Sequence, residues 1–381
     1  MENNTQLKEM IRSMVIDVLQ GQKQETASSQ PVKQVSHGQE PGVFDTVDEA
    51  IRAAKEAQLR FEDCTLATRE KVIADIRAAM RPRVQELAQK TVEETGMGRV
   101  ADKVLKLNLT LDKTPGVEDL VTECETGDNG MTLYELSAYG VIGAITPSTN
   151  PAETLICNSI GMLAAGNAIF FSVHPGAKNL SRELVSELNQ VIAKSIGIEN
   201  LIVTLREPSI ESAQEMMLHP DVSLLVVTGG PGVVKQALQS GKKVIGAGAG
   251  NPPAFVDETA DIKKAAQDIV LGASLDNNIL CIAEKSVVAM RQIEPQLVQE
   301  MVKAGCILLE NQQDIQRLVD LTVLPNGTPN KKFVGKNASV ILDAAHIPYN
   351  GDPRLIIMRA PKNHPFAVIE MLMPILPVVT V

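Results

Sequence analysis

A chain of 381 residues with 44% hydrophobic and 22% charged side chains is long enough to bury more than one core. Its 36 basic and 46 acidic residues leave a net charge of −10, which argues against a nucleic-acid or anionic-membrane surface but permits a local anion site at a helix N-terminus. The 5 cysteines form no CxxC pair, the 5 histidines are too sparse for a metal cluster, and no run approaches the ~18 apolar residues of a membrane span, so reduced cytosolic thiols are the expectation.

The first element expected is an amphipathic helix over residues 1–20, with Leu7, Met10, Ile11, Met14, Val15, Val18 and Leu19 on one stripe. Residues 21–42, rich in Gln, Ser, Lys and Gly, read as a flexible linker. A short helix on a linker is marginal alone, so it either packs back on the body or an oligomer, or docks on a partner. Residues 45–113 are expected to be mostly helical: Val47 to Phe61 first, then one or two helices over Arg69 to Thr95, left at Gly96 and Gly98.

Strands and helices then alternate. The strands expected are Gly140–Ile145, Asn167–Val173, Leu201–Leu205, Ser223–Thr228 and Lys243–Ile245, with helices 152–165, 177–196, 209–218 and 232–240 between them. Apolar strands separated by helices indicate α/β architecture with a parallel sheet covered on both faces, a Rossmann-like cofactor domain over 43–250. No G-x-G-x-x-G follows the first strand, so spacing alone does not establish a dinucleotide site. A second α/β domain is expected over 251–381, with helices Ile262–Leu271, Glu294–Ala304 and Gln313–Leu321. It closes on an apolar strand, Pro374–Val381, and is expected to be an incomplete domain.

Several positions could carry chemistry. Cys281 falls between the helix ending near Leu271 and the strand Ser286–Met290, beside the amides Asn277 and Asn278. A thiol there could be approached by substrate and flanked by oxyanion donors, although a lone cysteine is commonly a small buried hydrophobe. Thr228-Gly229-Gly230-Pro231-Gly232, between a strand and a helix, suits either a phosphate cradle or a tight turn. Thr146-Pro147-Ser148-Thr149-Asn150-Pro151 lies at the carboxyl end of a strand, where α/β sheets present ligands. The alternative there is a turn in which Asn150 caps the next helix.

Taken together, Asn278-Ile279-Leu280-Cys281 with Ala283-Glu284-Lys285, Glu94-Thr95-Gly96-Met97-Gly98 and the two turns above resemble the aldehyde dehydrogenase superfamily, in order, from about Val43 to Val381. More closely, they resemble the CoA-acylating enzymes of ethanolamine- and propanediol-type bacterial microcompartments. The resemblance implies that Cys281 is the nucleophile, with Asn150 (or Thr149, though the amide favours Asn150) and the Cys281 N–H as oxyanion donors. It places Thr146, Pro147, Thr228, Gly229, Gly230 and Gly248 along the cofactor. It puts Glu370 on the nicotinamide ribose, although residues 371–373 depart from the usual pattern. His174 stands where the superfamily has a lysine at the adenosine ribose, and a neutral imidazole favours NAD over NADP.

Hydrolytic relatives carry a water-activating Glu in the segment matching Gly246–Pro253, whereas no carboxylate occurs between Lys243 and Asp257. Without a base, water is a poor nucleophile, and a thiol such as coenzyme A is the expected acceptor. The resemblance further implies propionaldehyde or acetaldehyde as substrate, with propionaldehyde favoured, no metal, and a homo-oligomer (dimer or tetramer). It likens residues 1–20 to an encapsulation peptide for shell proteins, which makes the chain cytoplasmic cargo inside a microcompartment. The alternatives are a hydrolytic aldehyde dehydrogenase giving free acid, or a non-catalytic shell-docking protein. A free thiol has a pKa near ~8.5, so Cys281 requires activation, for which the sequence offers no histidine partner.

Overall fold

The structure, a computed structural model, describes residues 40–381. The expected helix 1–20 and the linker up to residue 39 lie outside the described residues. A short strand, β1 (Val43–Phe44), precedes four helices: α1 (Val47–Glu62), α2 (Leu66–Met80), α3 (Val84–Thr95) and α4 (Val100–Lys113). The Thr46 hydroxyl caps α1 by accepting the Glu49 N–H, and Ala50, Ile51, Ala54, Ala57 and Phe61 bury one stripe of it. Gly96 closes α3 with a left-handed φ of 66°, as the sequence suggested. Next comes an antiparallel hairpin, β2 (Glu123–Gly127) and β3 (Gly130–Tyr134), exposed at every position and not anticipated from sequence.

The alternating region is β4 (Val141–Ile145), α5 (Pro151–Ala164), β5 (Ala168–Ser172), α6 (Lys178–Ile196), β6 (Ile202–Leu205), α7 (Ile210–Leu218), β7 (Val222–Thr228), α8 (Pro231–Leu238) and β8 (Lys243–Ala247). The helix α8 starts at Pro231, one residue before the expected Gly232, because proline suits a first helical position whose N–H has no partner. The sheet runs β1-β6-β5-β4-β7-β8 with every pair parallel. Strands β4, β5 and β6 are buried throughout, which explains their uninterrupted apolar sequences. Strand order reverses between β4 and β7, so a crevice opens at their carboxyl ends.

The second sheet uses β9 (Pro253–Val256), α9 (Ile262–Ser274), β10 (Ser286–Ala289), α10 (Glu294–Lys303), β11 (Cys306–Leu309), α11 (Gln312–Thr322), α12 (Ala338–Ala344), β12 (Leu355–Arg359), α13 (Pro365–Val368) and β13 (Ile375–Thr380). Its order is β11-β12-β13-β10-β9, again all parallel. Strand β12 shows why both faces are apolar. Ile356 and Met358 enter one hydrophobic cluster, while Leu355 and Ile357 enter the cluster on the opposite face. No helix among the described residues is long and apolar enough to cross a membrane.

Candidate active site

Between α9 and β10 the backbone does something costly. Asp276, Asn277 and Asn278 have φ of 49°, 57° and 63°, three consecutive non-glycine residues in the left-handed region. Asp and Asn tolerate it better than most, yet each such residue costs roughly 1–2 kcal/mol. Buried hydrogen bonds hold them there. The Asp276 N–H donates to Asp102 Oδ2 at 2.9 Å, and Asp276 Oδ1 accepts the Arg99 N–H at 2.7 Å. Arg99 Nε donates to Asn277 Oδ1 at 2.8 Å, and Asn277 Nδ2 donates at 2.8 Å to both Gly335 O and Asn337 Oδ1. Asn278 Nδ2 donates to Ala273 O at 2.7 Å and to Glu284 O at 2.9 Å. The segment Glu94–Arg99 is thus more than a helix exit: it clasps this loop. Gly98 has φ 80°, and a Cβ there would lie 2.0 Å from Asp276 Oδ1.

The loop leaves Cys281 exposed while Asp276, Asn277 and Asn278 are buried. Behind it sits Lys285, buried, with Nζ donating to the carbonyls of Asn278 (3.3 Å), Leu280 (2.6 Å) and Ala283 (3.2 Å). Burial pushes the Lys285 ammonium down to about 8, against the attraction of Glu370, Cys281 and Glu284. The sequence offered no histidine partner for Cys281; the charged group acting alongside it in the structure is Lys285.

Asn150 occupies the N-cap position of α5 but makes no side-chain cap bond, so the capping alternative does not hold. Its Oδ1 instead accepts from Lys106 Nζ, and its Nδ2 donates to Thr149 Oγ1 at 3.3 Å. Lys106 and Lys103 lie on α4, both buried. Asp276 Oδ2 is 2.5 Å from Lys106 Nζ and 3.1 Å from Lys103 Nζ, and Glu153 Oε1 is 3.2 Å from Lys106 Nζ. Lys103 also donates to Thr149 O at 3.1 Å. Burial and the neighbouring Lys106 push Lys103 down, against Glu153 and Asp276. For Lys106 burial acts in the same sense, but the charges of Glu153 and Asp276 outweigh it and hold the ammonium above its ordinary value.

The remaining expected residues converge on one edge. Thr146 and Pro147 follow β4, His174 follows β5, Thr228, Gly229 and Gly230 follow β7, and Gly248 follows β8, so all sit at the carboxyl ends of parallel strands. Thr146 is buried and its Oγ1 has no hydrogen-bond partner. His174 Nδ1 accepts the Gly176 N–H at 3.0 Å, and burial, with help from Lys331, pushes its imidazole below its ordinary value, towards the neutral form. The Gly229 N–H donates to Ala247 O at 3.1 Å, which fixes this turn against β8. A Cβ at Gly230 or Gly248 would meet nothing within 4 Å. A Cβ at Gly250, by contrast, would lie 2.8 Å from the Cys281 carbonyl, so the glycine run passes directly over the cysteine loop. Burial raises the Glu370 carboxyl, against the pull of the Gly250 amide and Lys285, and its Oε1 is buried without a partner. The residues that sequence reasoning missed are Lys103, Lys106, Asp276 and Lys285. Lys103 and Lys106 share a helix face with the buried Leu107 and Leu111, but Leu105 and Leu109 on the exposed side mask that face in the sequence.

The model of the aldehyde dehydrogenase family matches residues 20–316. The propanal dehydrogenase (CoA-propanoylating) of Salmonella typhimurium is 48% identical over 380 residues, covering 100% of this chain and 80% of that one. The acetylating acetaldehyde dehydrogenase EutE of the same organism is 44% identical over 360 residues, covering 93% of this chain and 76% of that one. Among solved structures, the Rhodopseudomonas palustris propionaldehyde dehydrogenase with bound CoA and an acylated cysteine superposes with a TM-score of 0.86 at 48% identity, over 89% of this chain and 78% of that chain. The propionaldehyde dehydrogenase of the Clostridium phytofermentans fucose utilisation microcompartment superposes with a TM-score of 0.86 at 47% identity, over 90% and 78%. With the family model spanning most of its length and a curated relative matched along all of it, the chain belongs to the aldehyde dehydrogenase family.

Proposed function

We propose that this enzyme oxidises a short-chain aldehyde, propionaldehyde before acetaldehyde, with NAD in preference to NADP, and delivers the acyl group to coenzyme A. In this reading residues 43–250 form the cofactor domain and 251–381 the catalytic domain, with the break between β8, which ends at Ala247, and β9, which begins at Pro253. The relatives above, named for CoA acylation, support the reaction class, and the microcompartment source of one supports a cytoplasmic location within such a shell. Residues 1–20 are the segment proposed to dock on shell proteins, and the exposed hairpin β2–β3, with Met131, Leu133 and Tyr134 on its surface, supports assembly as a homo-oligomer.

The residues present suit a dinucleotide. The glycine turn after β7 leaves room for a pyrophosphate ahead of α8, and the orphaned Thr146 Oγ1 and Glu370 Oε1 suit ribose or amide hydrogen-bonding groups. His174, held neutral, suits an unphosphorylated ribose. When bound, the nicotinamide accepts a hydride. The chain's own work is to add the Cys281 thiolate to the aldehyde carbon and to hold the oxyanion with Asn150 Nδ2 and the Cys281 N–H. Lys285 favours the thiolate on attack and on release. Cys281 then carries the acyl group as a thioester until the coenzyme A thiolate displaces it.

The observation that carries the acyl-transfer reading is Gly250. The run that would hold a water-activating carboxylate packs on the Cys281 carbonyl and contains none between Lys243 and Asp257. The test is NADH formation from propionaldehyde and NAD, with and without coenzyme A, in the wild type and in Cys281→Ala. Turnover that requires coenzyme A and vanishes in the variant is expected. Equal turnover without coenzyme A would overturn acyl transfer in favour of hydrolysis.

A further inference from the structure

We propose that Lys106 is a positioning residue for this reaction: it fixes which end of the Asn150 amide faces the substrate. The inference rests on the reading of Asn150 as an oxyanion donor and names the group that makes it one. An asparagine amide has an accepting end and a donating end of nearly the same shape, and only the NH₂ end can stabilise an oxyanion. A protonated lysine donates three hydrogens and accepts none. Lys106 Nζ, in contact with Asn150, therefore tolerates only Oδ1, as the structure shows. The NH₂ group is turned away from the lysine, with one hydrogen directed to Thr149 Oγ1 at 3.3 Å and no other partner among the described residues.

Lys106 is itself immobilised. Its Nζ hydrogen-bonds Asn150 Oδ1 and lies in ion-pair contact with Asp276 Oδ2 at 2.5 Å and Glu153 Oε1 at 3.2 Å. Two carboxylates around one buried ammonium also keep it charged, and a neutral amine could accept as well as donate and would lose the discrimination. Asp276 belongs to the left-handed loop that displays Cys281, so one side chain registers the oxyanion donor on α5 against the nucleophile loop. Lys103 shares Asp276 at 3.1 Å and holds Thr149 O, so the loop keeps a buried cation when Lys106 is changed. That separates orientation of the amide from support of the fold.

The experiment is a double-mutant cycle of Lys106→Met and Asn150→Ala, with kcat and KM for propionaldehyde measured in the full chain with NAD and coenzyme A. Alkylation of Cys281 by iodoacetamide, which builds no oxyanion, is followed in the same proteins. Asn150→Ala is expected to lower kcat ~10²–10³-fold and Lys106→Met ~10–100-fold, with KM little changed. The double variant should fall within ~2-fold of Asn150→Ala, and alkylation within ~2-fold of wild type throughout. Lys106→Arg, which also only donates, should recover part of the loss. Losses that multiply in the double variant, or alkylation that falls in step with turnover, would overturn the positioning role while leaving Asn150 in place. Undiminished kcat in Asn150→Ala would instead overturn the reading of Asn150 itself. If Lys106→Met does not fold, Lys106→Gln replaces it. Its amide offers an acceptor as well as a donor, so the same non-additivity is expected at a smaller loss.

Discussion

Lys285 makes stability depend on pH in a way that a single substitution exposes. Its displacement from 10.5 to about 8 corresponds to about 3 kcal/mol by which the folded state disfavours the buried ammonium. Below about pH 8 folded and unfolded chains both hold the proton, and the folded state carries the whole cost. Between about 8 and 10.5 the unfolded chain keeps the proton while the folded chain releases it, so the Lys285 contribution rises with pH through that window and is flat on either side. Lys285→Met abolishes this contribution and leaves the carbonyls of Asn278, Leu280 and Ala283 without their donor, a penalty that does not vary with pH. The assay is urea unfolding from pH 7 to pH 10, in a Cys281→Ser background so that the thiol proton does not enter. Relative to Lys285→Met, the parent should gain about 2 kcal/mol between pH 8 and pH 10. Parallel stability profiles for the two proteins would refute the account of a desolvated ammonium behind Cys281.

Two further substitutions address other parts of the site. Asp276→Ala leaves Lys103 and Lys106 buried and repelling each other, and should destabilise the fold by about 3–5 kcal/mol in urea unfolding; a loss below about 1 kcal/mol would contradict the buried network. Gly250→Ala and Gly248→Ala form a matched pair. The first pushes a methyl into the Cys281 carbonyl and should lower kcat at least ~10-fold, whereas the second meets nothing within 4 Å and should leave unfolding within about 0.5 kcal/mol of wild type. A kcat within ~2-fold of wild type in Gly250→Ala would refute the close approach.

The first sheet was legible because its strands are buried on both faces, so Val141–Ile145, Ala168–Ser172 and Ile202–Leu205 read as unbroken apolar runs between helices. The placement of Cys281 at a helix-to-strand junction and of the glycine turns at strand ends left local marks, whereas the roles expected of them came from the family resemblance. The hairpin left none: with β2 and β3 exposed on both faces, Glu123–Tyr134 has no alternation to detect. Helix α4 is harder still, since its pattern misleads. Leu105 and Leu109 face solvent while Asp102, Lys103 and Lys106 are inside. Hydrophobic periodicity places charges outward, and only the arrival of Asp276 from 173 residues away makes two buried lysines tolerable. Local sequence cannot register a compensation supplied from so far along the chain.

The same distances order the events by which the chain becomes reactive. The left-handed turn at Asp276–Asn278 is unfavourable by itself, and what holds it arrives from Arg99 and Lys103 on one side and from Gly335 and Asn337 on the other, 58 to 177 residues away. Such contacts close late, because the chain must first lose the entropy of the long loops they span. The loop that displays Cys281 therefore takes its final form only after both sheets and α4 have assembled around it.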